Sequence, residues 1–135
     1  MQQAPELKDV VMRVYDAASR GDGDLMEDLT SHDDALVFIG TDPNEWFEDI
    51  AGVRRMLEAQ AGAGVIVIPG DLRAYREGAV GWVADRGRFK LPDGSEVPFR
   101  MTGVFHQENG AWKLIQEHAS FGVSNQEAIG EDLTG

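Results

Sequence analysis

The segment that decides the fold is VPFRMTGVFHQENGAWKLIQEHASF, residues 97–121. It holds two runs of strand-forming residues around Asn109-Gly110, a dipeptide that favours tight hairpin turns because both positions accept positive φ. We therefore predict two long antiparallel strands, at 97–107 and 111–121. Asp93-Gly94 gives the same hairpin signal just before the first of these strands.

Apolar segments on the N-terminal side extend this sheet. We expect them to form further strands because turn-forming residues separate them. They lie at 35–39, 65–68, 72–76 and 79–90.

Three helices are predicted in the first half of the chain. Apolar residues recur at helical spacing over residues 4–20, and Gly21 ends that stripe. A shorter helix follows through Leu29, and a third spans 50–60. Helices followed by an antiparallel meander predict an α+β fold in which the helices cover one face of the sheet.

Composition limits the possible class of protein. A chain of 135 residues is expected to form a single domain, 1–135. It has no cysteine, so a cytoplasmic location is the expectation. The longest apolar run, 65–68, is far too short to cross a bilayer, and no membrane partner is expected.

Charge argues against nucleic acid as a partner. The net charge is −12, and ten Asp or Glu residues but no Lys or Arg lie between Asp22 and Asp49. Affinity for nucleic acid comes mainly from cations that neutralise phosphates. The acidic surplus is therefore interpreted as a solubility feature.

The two long strands leave open which face the helices cover. One set of alternate residues is polar and the other is largely apolar. Burying the polar set would require hydrogen bonds or a ligand, whereas burying the apolar set would make a conventional core. The polar set contains Arg100, Thr102, His118 and Ser120, and the apolar set contains Phe99, Met101 and Phe105.

A family resemblance enters at three segments: FIGTDP at 38–43 with Glu45-Trp46, RMTGV at 100–104, and GAWKL at 110–114 running on to HAS at 118–120. Together they resemble the SnoaL-like branch of the nuclear transport factor two-like superfamily. The resemblance implies a cone-shaped, strongly curved, mostly antiparallel sheet packed on three helices, with an internal pocket. It leaves the function open, because such proteins include isomerases, cyclases, dehydratases, hydrolases and association domains.

The resemblance also implies an orientation for the strands. Arg100, Thr102, His118 and Ser120 would point into the pocket, and Phe99, Met101 and Phe105 would lie on the outer face. Exposed apolar side chains on a sheet are a liability unless they are covered. A homodimer through the outer face is therefore expected.

Asp42 is the first catalytic candidate. Steroid-isomerase relatives carry a carboxylate before a proline near this strand, as in Asp42-Pro43, and use it as a base beside a carbonyl. Tyr15 is similar in position to their oxyanion-stabilising tyrosine. Asp-Pro is also simply a good turn sequence, and this alternative stays open.

His118 and Arg100 are the other two candidates. An imidazole titrates near neutral pH and could act as a general acid or base, or it could be a quietly hydrogen-bonded pocket residue. A buried guanidinium must find an anion, either a ligand oxygen or an acidic side chain.

The remaining site residues would contact the ligand, and no cofactor is expected. Metal binding is rejected, because His32-Asp33-Asp34 has no second ligand pair at a suitable spacing. The sequence favours a small hydrophobic or carboxylate-bearing molecule, handled either by proton transfer or by a non-catalytic binding or association module. The expected ligand contacts are Phe38, Trp46, Trp82, Thr102 and Ser120.

Overall fold

The computed structural model describes residues 1–134, which form four helices and eight strands. The helices are α1 (Pro5–Arg20), α2 (Gly23–Leu29), α3 (Ile50–Gly62) and α4 (Asn125–Ile129). The strands are β1 (Gln2–Gln3), β2 (Val37–Ile39), β3 (Trp46–Phe47), β4 (Ile66–Ile68), β5 (Arg73–Glu77), β6 (Val80–Lys90), β7 (Glu96–Glu108) and β8 (Ala111–Ser120).

Local sequence accounts for the helix ends. Gly21 adopts a left-handed conformation, φ 69°, and ends α1. Asp22 caps α2 by accepting a hydrogen bond from the Leu25 amide, and Asp49 caps α3 by accepting one from the Gly52 amide. The three helices predicted from periodicity are therefore confirmed.

All eight strands form one mixed, mostly antiparallel sheet. Its order is β1-β5-β6-β7-β8-β2-β3, with β4 paired to β6 off this path. The β7–β8 turn has positive φ at Asn109 (52°) and Gly110 (82°), as the hairpin signal predicts. The antiparallel meander is confirmed, whereas the parallel pairing of β2 with β8 was not expected.

The predicted orientation of the sheet is wrong. Phe99, Met101 and Phe105 face the helices and are only 3%, 4% and 1% exposed. Arg100, Thr102 and His118 are exposed on the opposite face, and Ser120 is half-buried there. The physical reason is that helices gain free energy by covering apolar side chains, whereas a buried guanidinium would need an anion.

We call the side that faces the helices the inner face of the sheet and the opposite side the outer face. Because Phe99, Met101 and Phe105 belong to the core, they cannot form a dimer contact. The helices and curved sheet otherwise give the predicted α+β architecture. No helix of residues 1–134 is long and apolar enough to cross a membrane.

Candidate functional site

A narrow cavity of about 60 Å³ lies between the helices and the inner face. This volume is enough for several water molecules. Aromatic, thioether and aliphatic side chains from both the helices and the sheet form most of its wall. They include Phe38, Met56, Phe89, Phe99 and Met101. The lining favours an apolar occupant.

Glu117 brings an ionisable group into this apolar wall. It lies on the inner face of β8, paired with Gly103 on one side and Phe38 on the other. Gly103 has no side chain to compete for the space beside it. Glu117 is 8% exposed, and burial alone shifts its pKa, without a contribution from any hydrogen bond to its carboxyl from residues 1–134.

Burial raises the pKa of Glu117 to about 8. Desolvation disfavours the charged carboxylate, and no cation or hydrogen-bond donor offsets that cost. Every fully enclosed polar side-chain atom within residues 1–134 has a partner. The unpartnered Glu117 oxygens must therefore border the space of the cavity.

Tyr15 and Asp85 form a second polar group at the cavity. The Tyr15 hydroxyl donates to Asp85 Oδ2 at 2.7 Å, and the Gly70 amide donates to both carboxylate oxygens of Asp85, at 3.1 and 3.3 Å. Burial, the hydrogen bond to Asp85, and the charges of Asp85 and Glu117 raise the pKa of Tyr15. Tyr15 is thus a neutral hydrogen-bond donor at physiological pH.

This arrangement can move a proton inside an apolar space. A carboxyl whose pKa lies near neutrality can accept a proton and return it. Because the charge of Glu117 contributes to the raised pKa of Tyr15, the two groups interact across the cavity. No three His, Asp or Glu side chains of residues 1–134 are placed to share a metal ion.

Of the site residues predicted from the sequence, Tyr15 and Phe38 line the cavity. Asp42 does not. Its side chain is exposed and accepts a hydrogen bond from the Asn44 amide at 2.9 Å. The turn interpretation of Asp42-Pro43 therefore describes its structure, and a base acting inside the cavity cannot be Asp42.

The other predicted site residues lie outside the cavity. Arg100 contacts the Ser120 hydroxyl at 3.4 Å on the outer face, where Thr102 and His118 are also exposed. Trp46 is 60% exposed, and Trp82, 37% exposed, stacks on Tyr75 on the outer face. The expectation that these side chains meet around one ligand is wrong, because their strand positions have the outward parity.

Sequence reasoning missed Glu117 and Asp85. A usable signal was present, since each is an acidic residue on the apolar side of a strand. Glu117 shares its face with Ala119, and Asp85 shares its face with Val83. An acid at such a position must be buried, and buried acids with perturbed pKa values mark candidate functional sites.

The fold and the cavity define a class of small α+β proteins that enclose a cavity between helices and a curved sheet. Residues 7–124 match the family model of the SnoaL-like domain. The chain belongs to the SnoaL-like family. Among curated proteins, no sequence matches it.

Solved structures show the same fold. An NTF2-like protein of unknown function from Pseudomonas putida is similar at TM-score 0.78 and 17% identity, over 92% of this chain and 89% of that one. A protein from Shewanella frigidimarina that is proposed to be a ketosteroid isomerase is similar at TM-score 0.70 and 13% identity. The match covers 83% of this chain and 92% of that one.

A further similar structure is described as a proposed calcium/calmodulin-dependent protein kinase II association domain, from Xanthomonas campestris. Its TM-score is 0.76 at 19% identity, over 90% of this chain and 95% of that one. At such identities the likeness establishes the fold alone. These similar proteins are assigned both catalytic and association roles, so the likeness does not choose between the two roles.

Proposed function

We propose that the chain is a cofactor-free enzyme that moves a proton on a small, neutral, mostly apolar molecule, with Glu117 as the acid–base group. The observation that carries this proposal is the unpartnered Glu117 carboxyl bordering an apolar cavity with a pKa of about 8. A merely structural buried acid is normally satisfied by hydrogen bonds. This one is available to a ligand.

The reaction class is proton transfer beside a carbonyl. Glu117 in its carboxylate form removes the proton and, once protonated, returns it to another atom of the same molecule. The Tyr15 hydroxyl borders the same cavity, but its only proton is donated to Asp85 at 2.7 Å, so it meets a ligand as a hydrogen-bond acceptor. The role earlier expected for Asp42 or His118 thus passes to Glu117.

The cavity favours an uncharged substrate. Its lining includes two acids, Glu45 and Glu117, and no Lys or Arg. A carboxylate ligand would therefore meet like charge without a cation. Of the two ligand classes expected from the sequence, we keep the hydrophobic molecule and reject the carboxylate.

The experiment measures deuterium incorporation from D₂O into the smallest neutral ketones, acetone and butanone, by proton NMR. We expect exchange in the wild type and a loss of about 10²-fold or more in Glu117→Gln, because general acid–base groups contribute about 10²–10⁴-fold. Glu48→Gln makes the same chemical change at an exposed site and should exchange like the wild type. Equal exchange in Glu117→Gln and wild type would refute the proposal.

An association role is the second candidate, and the outer face favours it. There, Trp82 and Tyr75 stack with ring centroids 5.1 Å apart, and Val80 is 52% exposed. Exposed apolar side chains on a sheet are best explained by a partner surface. We propose that the chain, folded as one domain around one core, forms a homodimer through this face.

A further inference from the structure

The outer face carries an accumulation of positive charge in an acidic protein. Arg73, Arg86, Arg88 and Arg100 are all exposed on its strands β5, β6 and β7. Arg86 is paired directly opposite Arg100 in the β6–β7 ladder. Like charges placed opposite each other destabilise a sheet. A bound anionic group would relieve the repulsion between Arg86 and Arg100. We call these four residues the arginine face.

Most of the arginine face lacks an acid of its own. Arg88 pairs with Glu96, and the Arg73 guanidinium lies 5.8 Å from the centre of the Tyr75 ring. Across residues 1–134, no carboxylate lies within 4 Å of Arg73, Arg86 or Arg100. The stacked Trp82 and Tyr75 continue the same surface.

The segment after β8 has the complementary chemistry. We call residues 122–134 the acidic segment, because they include Glu127, Glu131 and Asp132 and no Lys or Arg. Three of its apolar side chains are more than half exposed. They are Val123, Ile129 and Leu133.

The acidic segment contains a helix that nothing covers. α4 is capped by the Ser124 side chain and by Gly130, yet all five of its residues are exposed. A helix of this length is marginal in water without tertiary packing. A capped short helix with exposed apolar side chains therefore indicates a segment that packs on another surface.

We propose that the acidic segment of one copy of this chain binds the arginine face of a second copy. Its carboxylates meet Arg86 and Arg100, and its apolar side chains meet Trp82 and Tyr75. This inference rests on the proposed homodimer. The contact would neutralise the positive charge at the dimer interface. Without the segment, two arginine faces would repel each other.

Two surfaces of the same copy are less suitable binding sites for the acidic segment. The rim of the cavity is itself acidic at Glu45, with Asp42 and Glu48 nearby in sequence, so it repels the segment. The outer face of the same copy is also disfavoured, because the acidic segment leaves the sheet on the inner side. Phe121 packs edge-on against the inner-face residue Phe89, with centroids 6.0 Å apart.

The test uses the full chain and reverses charge on either side of the proposed contact. Sedimentation velocity measures the dimer dissociation constant of the wild type, the segment-reversed variant (Glu127→Lys, Glu131→Lys, Asp132→Lys) and the face-reversed variant (Arg86→Glu, Arg100→Glu). We expect each variant to raise the dissociation constant at least tenfold. As a control for the segment-reversed variant, Asp9→Lys, Asp34→Lys and Glu48→Lys make the same charge change elsewhere and should leave dimerisation within threefold of wild type.

Mixing the two variants decides whether the contact crosses between copies. In a mixed dimer, each segment meets a face of opposite charge, so heterodimers should form with near wild-type affinity. Such rescue would also show that both variants fold. If the wild type dimerises and neither reversed variant has a higher dissociation constant, the contact between segment and arginine face is wrong but the homodimer stands. A monomeric wild type would overturn the homodimer as well, and weakened variants that fail to rescue each other when mixed would contradict a contact between copies.

Discussion

The inner and outer faces of strands β6, β7 and β8 share one backbone but have opposite chemistry. The inner face buries Phe99, Met101 and Phe105, and its acids Glu117 and Asp85 are 8% and 4% exposed. On the outer face, Arg86 and Arg100 remain in solvent. A charged group on the inner face must be neutralised, hydrogen-bonded or used, whereas on the outer face water satisfies it.

Replacing a core aromatic on the inner face should produce the largest effect. Phe105→Ala removes a ring that is 1% exposed, and we expect it to lower the free energy of unfolding by about 3–5 kcal/mol. The matched outer-face change Val104→Ala, one residue away, should cost about 1 kcal/mol or less. Urea unfolding measures both, and equal losses would contradict the assignment of the two faces.

Glu117→Gln should stabilise the protein in a pH-dependent way. The folded protein keeps the Glu117 proton up to pH about 8, whereas the unfolded chain releases it near 4.5. Wild-type stability therefore falls relative to the variant between these two values, by about 1.4 kcal/mol per pH unit. We expect similar stabilities of the two at pH 4.5 and a clear advantage for the variant at pH 9.

Urea unfolding of wild type and Glu117→Gln at several pH values tests this difference. Glu48→Gln serves as the exposed control, and its stability difference from wild type should not change across the same range. If the difference in the free energy of unfolding between wild type and Glu117→Gln stays the same at every pH, folding does not raise the pKa of Glu117.

Removing the Tyr15 hydroxyl should have a smaller effect. Tyr15→Phe keeps the ring but deletes the donor to Asp85, leaving that buried carboxyl with the Gly70 amide as its remaining partner. An unsatisfied buried polar group costs about 1–3 kcal/mol. Thermal unfolding should show this loss, and the double variant Tyr15→Phe with Asp85→Asn should lose less than the sum of the two single changes.

Changes at the exposed candidates should be the smallest. Asp42→Ala removes one turn hydrogen bond and should cost about 1 kcal/mol or less. His118→Ala alters an exposed outer-face side chain and should stay within about 0.5 kcal/mol of wild type. Neither should change ketone exchange, and a large loss of exchange in either variant would return the catalytic role to it.

Local signals in the sequence were sufficient to predict the architecture. The Asn109-Gly110 turn, the helical stripe ended by Gly21 and the order of elements depend on neighbours in the chain, and all are present in the structure. The short pairs β1 and β3 and the parallel contact of β2 with β8 depend on distant segments. Periodicity within a segment does not encode such pairings.

The candidate site was harder to predict, because strand alternation defines two faces without saying which one is covered. The resemblance led to the wrong choice, and Arg100, Thr102 and His118 were placed inside. Hydrophobic burial alone would have chosen correctly, since Phe99, Met101 and Phe105 share one face. That choice would also have placed Glu117 in the core and identified it as the unusual group.

The raised pKa of Glu117 can be measured directly by a carbon-13 NMR titration of its side-chain carboxyl in glutamate-labelled protein, with the signal assigned by its disappearance in Glu117→Gln. We expect a midpoint near pH 8, well separated from those of the exposed glutamates. A midpoint near 4.5 would show that Glu117 is solvated or paired in the folded protein, and it would contradict both the buried carboxyl and the proton transfer built on it.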